Sequence, residues 1–490
     1  MIGRGASSWP ARPSSRFGRT EVSAKRREVM AARLCRLLAK EPGLRGFRVR
    51  ASRVDIVRSP AQFYNGLVEA CRTARRRVSL SALYLGTGPR EAALVAALHA
   101  ACAVRPNLKV RLVFDGARAT RLSGGQSSLT MVAGLVAAFP ERVSVALFHP
   151  SGRPTKGLAG ETLGVYHVKL FAIDDRVVAS GANLSQDYFV DRIDRYVRFH
   201  DAKLAAWSHN LVEVLAEHAA CAPDAKAALL AACGRAPGAA SRRRPPSAAP
   251  AAVGPTRHAV RRRNDVAWVF PSMQFGSVGL RLDESVMRRI CCAARGRVAA
   301  SKASQSRSLT LATAYLNPPA RVLDSWRHAA AGTDLTVIGP SGPAHGFAHA
   351  AASAVVKATA KGVKAVIPKL YSMIAHDVGA ALAGATRREW RGEPGETFHA
   401  KGAWLFDRLG SRRPAAAATL VCSSNWNQRS LERDVELGLT LVSRHAGLRR
   451  QLRSEHDALA RAAPVVDPAA PPPPSPLWLR LVRRAANSLL

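Results

Sequence analysis

The sequence predicts an α/β protein of two duplicated lobes, each a mixed, largely parallel sheet flanked by helices, with its site where the lobes meet. Short β-branched, Leu-rich runs alternate with helical stretches as β-α-β, once in each half. Two unrelated features recur at nearly one offset: Tyr84 and Tyr315 are 231 positions apart, and the pairs His167-x-Lys169 and His399-x-Lys401 are 232 apart. A length of 490 residues with 47% hydrophobic and 22% charged side chains is ordinary globular composition, enough for two to four domains.

Residues 1–50 read as a basic leader. Arg4, Arg12, Arg16 and Arg19 stand in the first twenty residues with four serines and no acid, which is the composition of an organelle transit peptide rather than of a secretory signal. The first lobe spans 51–233. It holds the strand-like runs SLSALYLG (79–86) and LKVRLVFD (108–115) with a helical stretch between them. The segment 234–264 is Pro, Ala and Arg with almost no large apolar side chains, so it reads as a linker. The second lobe, 265–462, repeats the pattern with TLATAYLN (310–317) and DLTVIG (334–339). A Pro-rich break follows over 463–476. The end, 477–490, has a helical period with Trp478, Leu481, Val482, Ala485 and Leu489 on one face and Arg480, Arg483, Arg484 and Asn487 on the other, which suits an anionic lipid surface.

The formal charge of +39 points to a polyanionic partner, nucleic acid or anionic lipid, or to the Ala/Arg drift of the whole chain; charge alone does not separate these. No run approaches ~18 uninterrupted apolar residues, the length of a membrane-spanning helix. The eight cysteines include no CxxC pair, which excludes zinc-ribbon and thioredoxin-type chemistry, and are read as reduced thiols.

The chemistry concentrates in YHVKLFAIDDRVVASGANLSQDYF (166–189) and in FHAKGAWLFD (398–407) with TLVCSSNWNQRSLERDVEL (419–437). His167 and Lys169 alternate on one strand face, and so do His399 and Lys401. Asn183 and Ser185 follow the first returning strand, Asn425 and Asn427 the second. Asp194 lies eleven residues after Asn183, and Glu436 eleven after Asn425. Displacement at a phosphodiester needs a nucleophile and a proton donor on opposite sides of phosphorus. Two imidazoles can divide those roles, each oriented by a carboxylate, while Lys and Asn hold the non-bridging oxygens. Such a site needs no metal. One His-x-Lys is usually nothing; two copies in register are specific. Asp174 has a plain alternative, because a hairpin turn favours Asp. Arg118 and Arg121 follow the strand ending at Asp115, where open α/β sheets place ligands, and the GTGPR loop (86–90) reads either as a phosphate cradle or as a strand-to-helix turn.

HVKLFAID with SGANLS resembles the HKD motif of the phospholipase D superfamily. LYLGTGPRE (83–91), SGANLSQDYFVDRIDRYV (180–197), VFPSMQFGSVGLRLDE (269–284) and NWNQRSLERDVE (425–436) narrow the resemblance to its mitochondrial branch that makes phosphatidylglycerophosphate. That resemblance implies two phospholipase D-like lobes, CDP-diacylglycerol and glycerol 3-phosphate as substrates, no cofactor, peripheral attachment to the anionic inner membrane of the mitochondrion, and no nucleic-acid partner. It implies catalytic roles for His167, Lys169, Asp174, His399 and Lys401, and phosphate-holding roles for Asn183 and Asn425. We add Ser185, Asn427, Arg118 and Arg121 as substrate-binding positions. The match departs at Phe406, which stands where the second motif has its Asp; Asp407 is one residue late and left without a role, so Glu436 becomes the group to orient His399 or His167. The expected course is ping-pong, with His167 as nucleophile and His399 as general acid and base. The charge keeps open a basic phosphodiesterase acting on nucleic acid, similar to tyrosyl-DNA phosphodiesterase, although Asp174 stands where that family lacks the Asp. The imperfect second motif keeps open a non-catalytic lipid-binding member.

Overall fold

The computed structural model describes residues 30–153, 157–219, 225–233, 265–295, 307–346, 363–407 and 415–467, with 469 and 479 besides. Residues 1–29 of the expected leader, the linker 234–264, Cys221 and, Leu479 excepted, the C-terminal amphipathic stretch lie outside them.

In chain order the strands of the first half are β1 (Phe47–Val49), β2 (Val54–Val57), β3 (Arg77–Ser81), β4 (Lys109–Asp115), β5 (Val143–Phe148), β6 (Leu170–Ile173), β7 (Arg176–Ser180), β8 (Arg192–Ile193) and β9 (Tyr196–His200). Those of the second are β10 (Ala267–Phe275), β11 (Leu280–Arg281), β12 (Arg307–Ala312), β13 (Asp334–Pro340), β14 (Thr386–Trp390), β15 (Thr397–Phe398), β16 (Gly402–Asp407), β17 (Ala415–Cys422) and β18 (Val435–Ser443). The first sheet runs β2-β9-β7-β6-β3-β4-β5. The second runs β10-β18-β17-β16-β12-β13-β14, the same order position for position, with β1 added beside β10. The duplication seen in the motifs is therefore a duplication of topology.

The sheets are mixed, but the expected parallel bias is reversed. Only β3-β4-β5 and β12-β13-β14 pair in parallel; every other neighbour in the two sheets is antiparallel. The reason is local. Each His-x-Lys leads into a hairpin, β6-β7 or β16-β17, and these hairpins lie beside the parallel unit and continue into the antiparallel part of the sheet. Ala415–Ala418 are the first residues of β17; their small side chains pack in the sheet between β16 and β18.

A second correction concerns the leader. A helix over 30–39 buries Met30, Leu34 and Leu38, one helical turn apart, in the core of the second lobe, and β1 pairs with β10. From Met30 onward the expected leader is folded chain, its spacing masked by Ala- and Arg-rich composition.

Helices flank both sheets and are capped where their sequences direct. Ser59 accepts from the Gln62 amide before Pro60–Arg72, and Asp201 accepts from Lys203 and Leu204 before Ala202–Glu217. The latter helix buries Leu204, Trp207, Leu211, Val212 and Leu215 along one stripe. Each lobe has an outer core, and a third continuous core joins them. In it Tyr166, Val168 and Leu170 of the first lobe share one cluster with Val435, Leu437 and Leu439 of the second.

Arg195 crosses that join. Its guanidinium donates in fork geometry to the Glu455 carboxylate at 2.9 and 2.9 Å, to Leu420 O at 2.7 Å and to Thr419 Oγ1 at 2.7 Å, and lies 3.7 Å over the Trp404 ring. Glu455 also accepts from Trp404 Nε1.

Asp174, for which the resemblance implies a catalytic role, occupies the β6-β7 turn at the end of the strand away from His167. Its φ is +50°, a left-handed conformation Asp tolerates. Its carboxylate accepts from the amides of Arg75, Arg76 and Arg77 at 2.8–3.1 Å. Burial acts to raise its pKa, but the three amides outweigh it and hold the group below the usual carboxylate value. The turn role, not the catalytic one, is where the structure puts it. Asp407, at the end of β16, likewise pairs with Arg449 at 2.6 Å.

Two outcomes follow for stability. Arg195→Ala strands the buried Glu455 charge and should cost about 3–5 kcal/mol in urea denaturation. Asp174→Ala should cost about 1–3 kcal/mol at pH 7. Because the folded-state pKa of Asp174 is depressed, its contribution is full above the unfolded value and disappears as pH falls through the folded one, so wild type and variant should converge below about pH 4.

Candidate active site

The site is assembled by two short inter-lobe bridges that mirror each other. His167 N donates to Val435 O at 2.8 Å and Val435 N to Val165 O at 3.0 Å, with Tyr166 and Val435 in parallel register. In the other direction His399 N donates to Ile193 O at 2.8 Å and Thr397 N to Asp191 O at 3.0 Å, with β15 parallel to β8. Each bridge sets a histidine of one lobe beside the carboxylate that follows the bridging residue of the other.

Side chains complete the exchange. His167 Nδ1 donates to Glu436 Oε2 at 2.9 Å, and His399 Nδ1 to Asp194 Oδ2 at 2.6 Å. Each imidazole is thus fixed as the tautomer with its Nε2 lone pair available, by a carboxylate from the opposite lobe. Glu436 is further held by the Ser423 hydroxyl, and Asp194 by the Arg195 amide. At the position matching Ser423 stands Gly181. A Cβ there would come within 2.8 Å of the Asp194 carboxylate, which explains the glycine of SGAN.

Lys169 Nζ donates to His167 O at 2.9 Å and Lys401 Nζ to His399 O at 2.7 Å; Lys401 also lies 2.7 Å from His399 Nδ1. All four groups are little exposed, and the electrostatics follow. Burial, then Lys169, pushes the His167 pKa well below its usual value; burial, then Lys401, does the same to His399. Burial lowers Lys169 strongly and Lys401 to about 8, and raises Asp194 and, to about 7, Glu436. The field of His167 reaches His399.

The two halves are not equal. Tyr188 donates its hydroxyl to His399 Nε2 at 3.2 Å and itself accepts from Asn183 Nδ2 at 3.1 Å. The matching position in the second lobe is Ser430, whose hydroxyl accepts from the Asn425 amide instead. His167 Nε2 has no hydrogen-bond partner among the described residues, and its side chain is 12% exposed against 4% for His399. The Asn425 side-chain oxygen is buried without a partner.

The remaining expected residues divide. Ser185 meets the Tyr84 hydroxyl at 3.1 Å, and Arg118 lies 4.7 Å over the Tyr84 ring, so Tyr84 brings these two together. Arg121 is half exposed and, like Arg118, faces Glu161. Asn427 is brought near Asn425 but as a helix cap, accepting from the Ser430 amide at 2.9 Å. The GTGPR loop is a turn: its glycines pack against the Glu91 carboxylate, a poor neighbour for phosphate. Asp174 and Asp407 stay outside. The offset that relates Asn183 to Asn425 marks Asp194, which matches Glu436; Tyr188 matches Ser430 and carries no such signal in the sequence. Among the described residues no group of three or more His, Cys, Asp or Glu could hold a metal ion.

No family model matches the chain. It is 29% identical over 487 residues to the mitochondrial CDP-diacylglycerol–glycerol-3-phosphate 3-phosphatidyltransferase of Homo sapiens, covering 89% of this chain and 83% of that one, and 28% identical over 489 residues to that of Gallus gallus with the same coverage. The enzyme of that name from Schizosaccharomyces pombe matches at 36% over 167 residues, 32% of each chain. Among solved structures, phosphatidylserine synthase from Haemophilus influenzae superposes with a TM-score of 0.67 at 18% identity, covering 94% of this chain and all of that one. The chain is thus similar, over most of its length, to the mitochondrial CDP-diacylglycerol–glycerol-3-phosphate 3-phosphatidyltransferases, and it shares the fold of that phosphatidylserine synthase.

Proposed function

We propose that the protein transfers a phosphatidyl group from CDP-diacylglycerol to glycerol 3-phosphate, giving phosphatidylglycerophosphate and CMP. The observation that carries this reading is the pair of imidazoles, one per lobe, each anchored at Nδ1 by a carboxylate of the other lobe and flanked by a buried lysine.

The unequal surroundings of the two rings support the division of labour. His167, with Nε2 unengaged, attacks the phosphorus of the phosphatidyl group; the P–O bond to CMP breaks, and His399 gives its proton to the departing oxygen. In the second half the acceptor hydroxyl gives its proton back to His399 and attacks phosphorus, and the P–N bond to His167 breaks. The lysines that depress both imidazoles are the groups a diphosphate neutralises, so donor binding raises the proton affinity of His399 while Asp194 steadies the imidazolium. Lys169, Lys401 and Asn425 hold the non-bridging oxygens, and Asn183 acts through Tyr188.

The relatives whose names read "mitochondrial" support a mitochondrial location. No helix of the described residues is long and apolar enough to cross a membrane, which fits a peripheral enzyme at the inner membrane that takes its lipid from an anionic surface.

Purified protein given labelled glycerol 3-phosphate and CDP-diacylglycerol should move label into the organic phase. Cleavage of DNA without lipid product would replace the reading with nucleic-acid hydrolysis, and neither product would leave a binding protein. Quenched with donor alone, the enzyme should carry an acid-labile phosphatidyl adduct on His167; an adduct on His399 would reverse the two roles. Glu436→Gln releases the His167 tautomer and should lower turnover about 10²–10⁴-fold.

A further inference from the structure

The duplicated fold supplies its own control. In the second lobe Arg429 and Asp434 form an ion pair, Nε to Oδ2 3.2 Å. The matching positions of the first lobe are Asp187 and Arg192, with the charges exchanged, and there the pair is not made. The Arg192 guanidinium forms no ion pair and no hydrogen bond with any described residue, and its buried Nε has no partner. Burial opposes the Arg192 charge, and the Asp187 carboxylate that favours it stands beyond ion-pair distance, so the fork keeps its donors for a bound anion.

Its setting is built. The guanidinium carbon lies 4.9 Å over the ring of Tyr188, whose hydroxyl holds His399 Nε2. Gly346 lets it fit: a Cβ there would come within 2.3 Å of Arg192 Nη2. Its charge reaches His399, Lys401 and Asp194. Stacking fixes the plane of the fork without occupying its donors, which suits bidentate binding of phosphate.

We propose that Arg192 is the specificity-determining residue for the acceptor, holding the phosphate of glycerol 3-phosphate that is not transferred. The inference rests on the transferase reading. Departing CMP presents its phosphate at the breaking bond, where the lysines stand. The acceptor's phosphate is three carbons from the hydroxyl that His399 deprotonates, so it needs a cation set back from the imidazole, and the Tyr188 ring provides that spacing.

The test compares the two half-reactions in the full chain. Exchange of labelled CMP into CDP-diacylglycerol, without acceptor, reads the donor half; kcat/KM for glycerol 3-phosphate reads the acceptor half. Arg192→Gln should lower the acceptor value about 30–100-fold, mainly through KM, and CMP exchange at least tenfold less. Arg192→Lys, which keeps the charge and loses the fork, should lower the acceptor value about 5–10-fold and carries the test if the Gln variant does not fold. Equal losses in both half-reactions, or an unchanged acceptor value, overturn the inference. Wild-type protein that shows neither exchange nor transfer refutes the transferase reading itself, a result visible before any variant is made.

Discussion

The two inter-lobe backbone bridges are the constraint on which the site depends. Four hydrogen bonds, His167 to Val435, Val435 to Val165, His399 to Ile193 and Thr397 to Asp191, fix the register between segments far apart in sequence. A one-residue slip in such a pairing would turn Glu436 and Asp194 away from the imidazoles. Four bonds at about 0.5–1.5 kcal/mol each do not hold two lobes together. The shared apolar core and the Arg195–Glu455 clamp do that, which leaves the bridges to position rather than to bind.

Inside this frame burial lifts Glu436 to about 7 and brings Lys401 down to about 8, while burial and the neighbouring lysines push both imidazoles well below their usual value. The symmetry of the fold is broken around the two histidines, where the proposed transfer needs unlike roles: Tyr188 against Ser430, Gly181 against Ser423, Arg192 against Asp434.

Much of this could be read in the sequence, for identifiable reasons. The paired His-x-Lys motifs and the eleven-residue spacing from Asn183 to Asp194 and Asn425 to Glu436 survive as linear patterns because strand alternation and local turns carry them. Which carboxylate serves which histidine could not be read, because the answer crosses the lobes and no local periodicity encodes it. Asp174 misled because one residue type serves turns and proton relays alike, and its αL backbone with three amide partners is visible only in space. The parallel bias of the sheets was overestimated because β-α-β units announce themselves in sequence more strongly than the antiparallel pairings that outnumber them. The helix over 30–39 was hidden by composition, since its buried residues Met30, Leu34 and Leu38 stand amid Ala and Arg.

The placement of β1 has a consequence for biogenesis. Phe47 is made early, yet its partner in the ladder is Val269, 222 residues later and in the other lobe. At roughly 5–20 residues per second on a ribosome, the strand waits roughly 10–45 s for that partner to be synthesised. The first lobe can collapse meanwhile and offer Trp207 to Phe47, but the ladder of β1 is completed only when β10 has been made. The order of synthesis thus makes an early strand among the last to complete its hydrogen bonds.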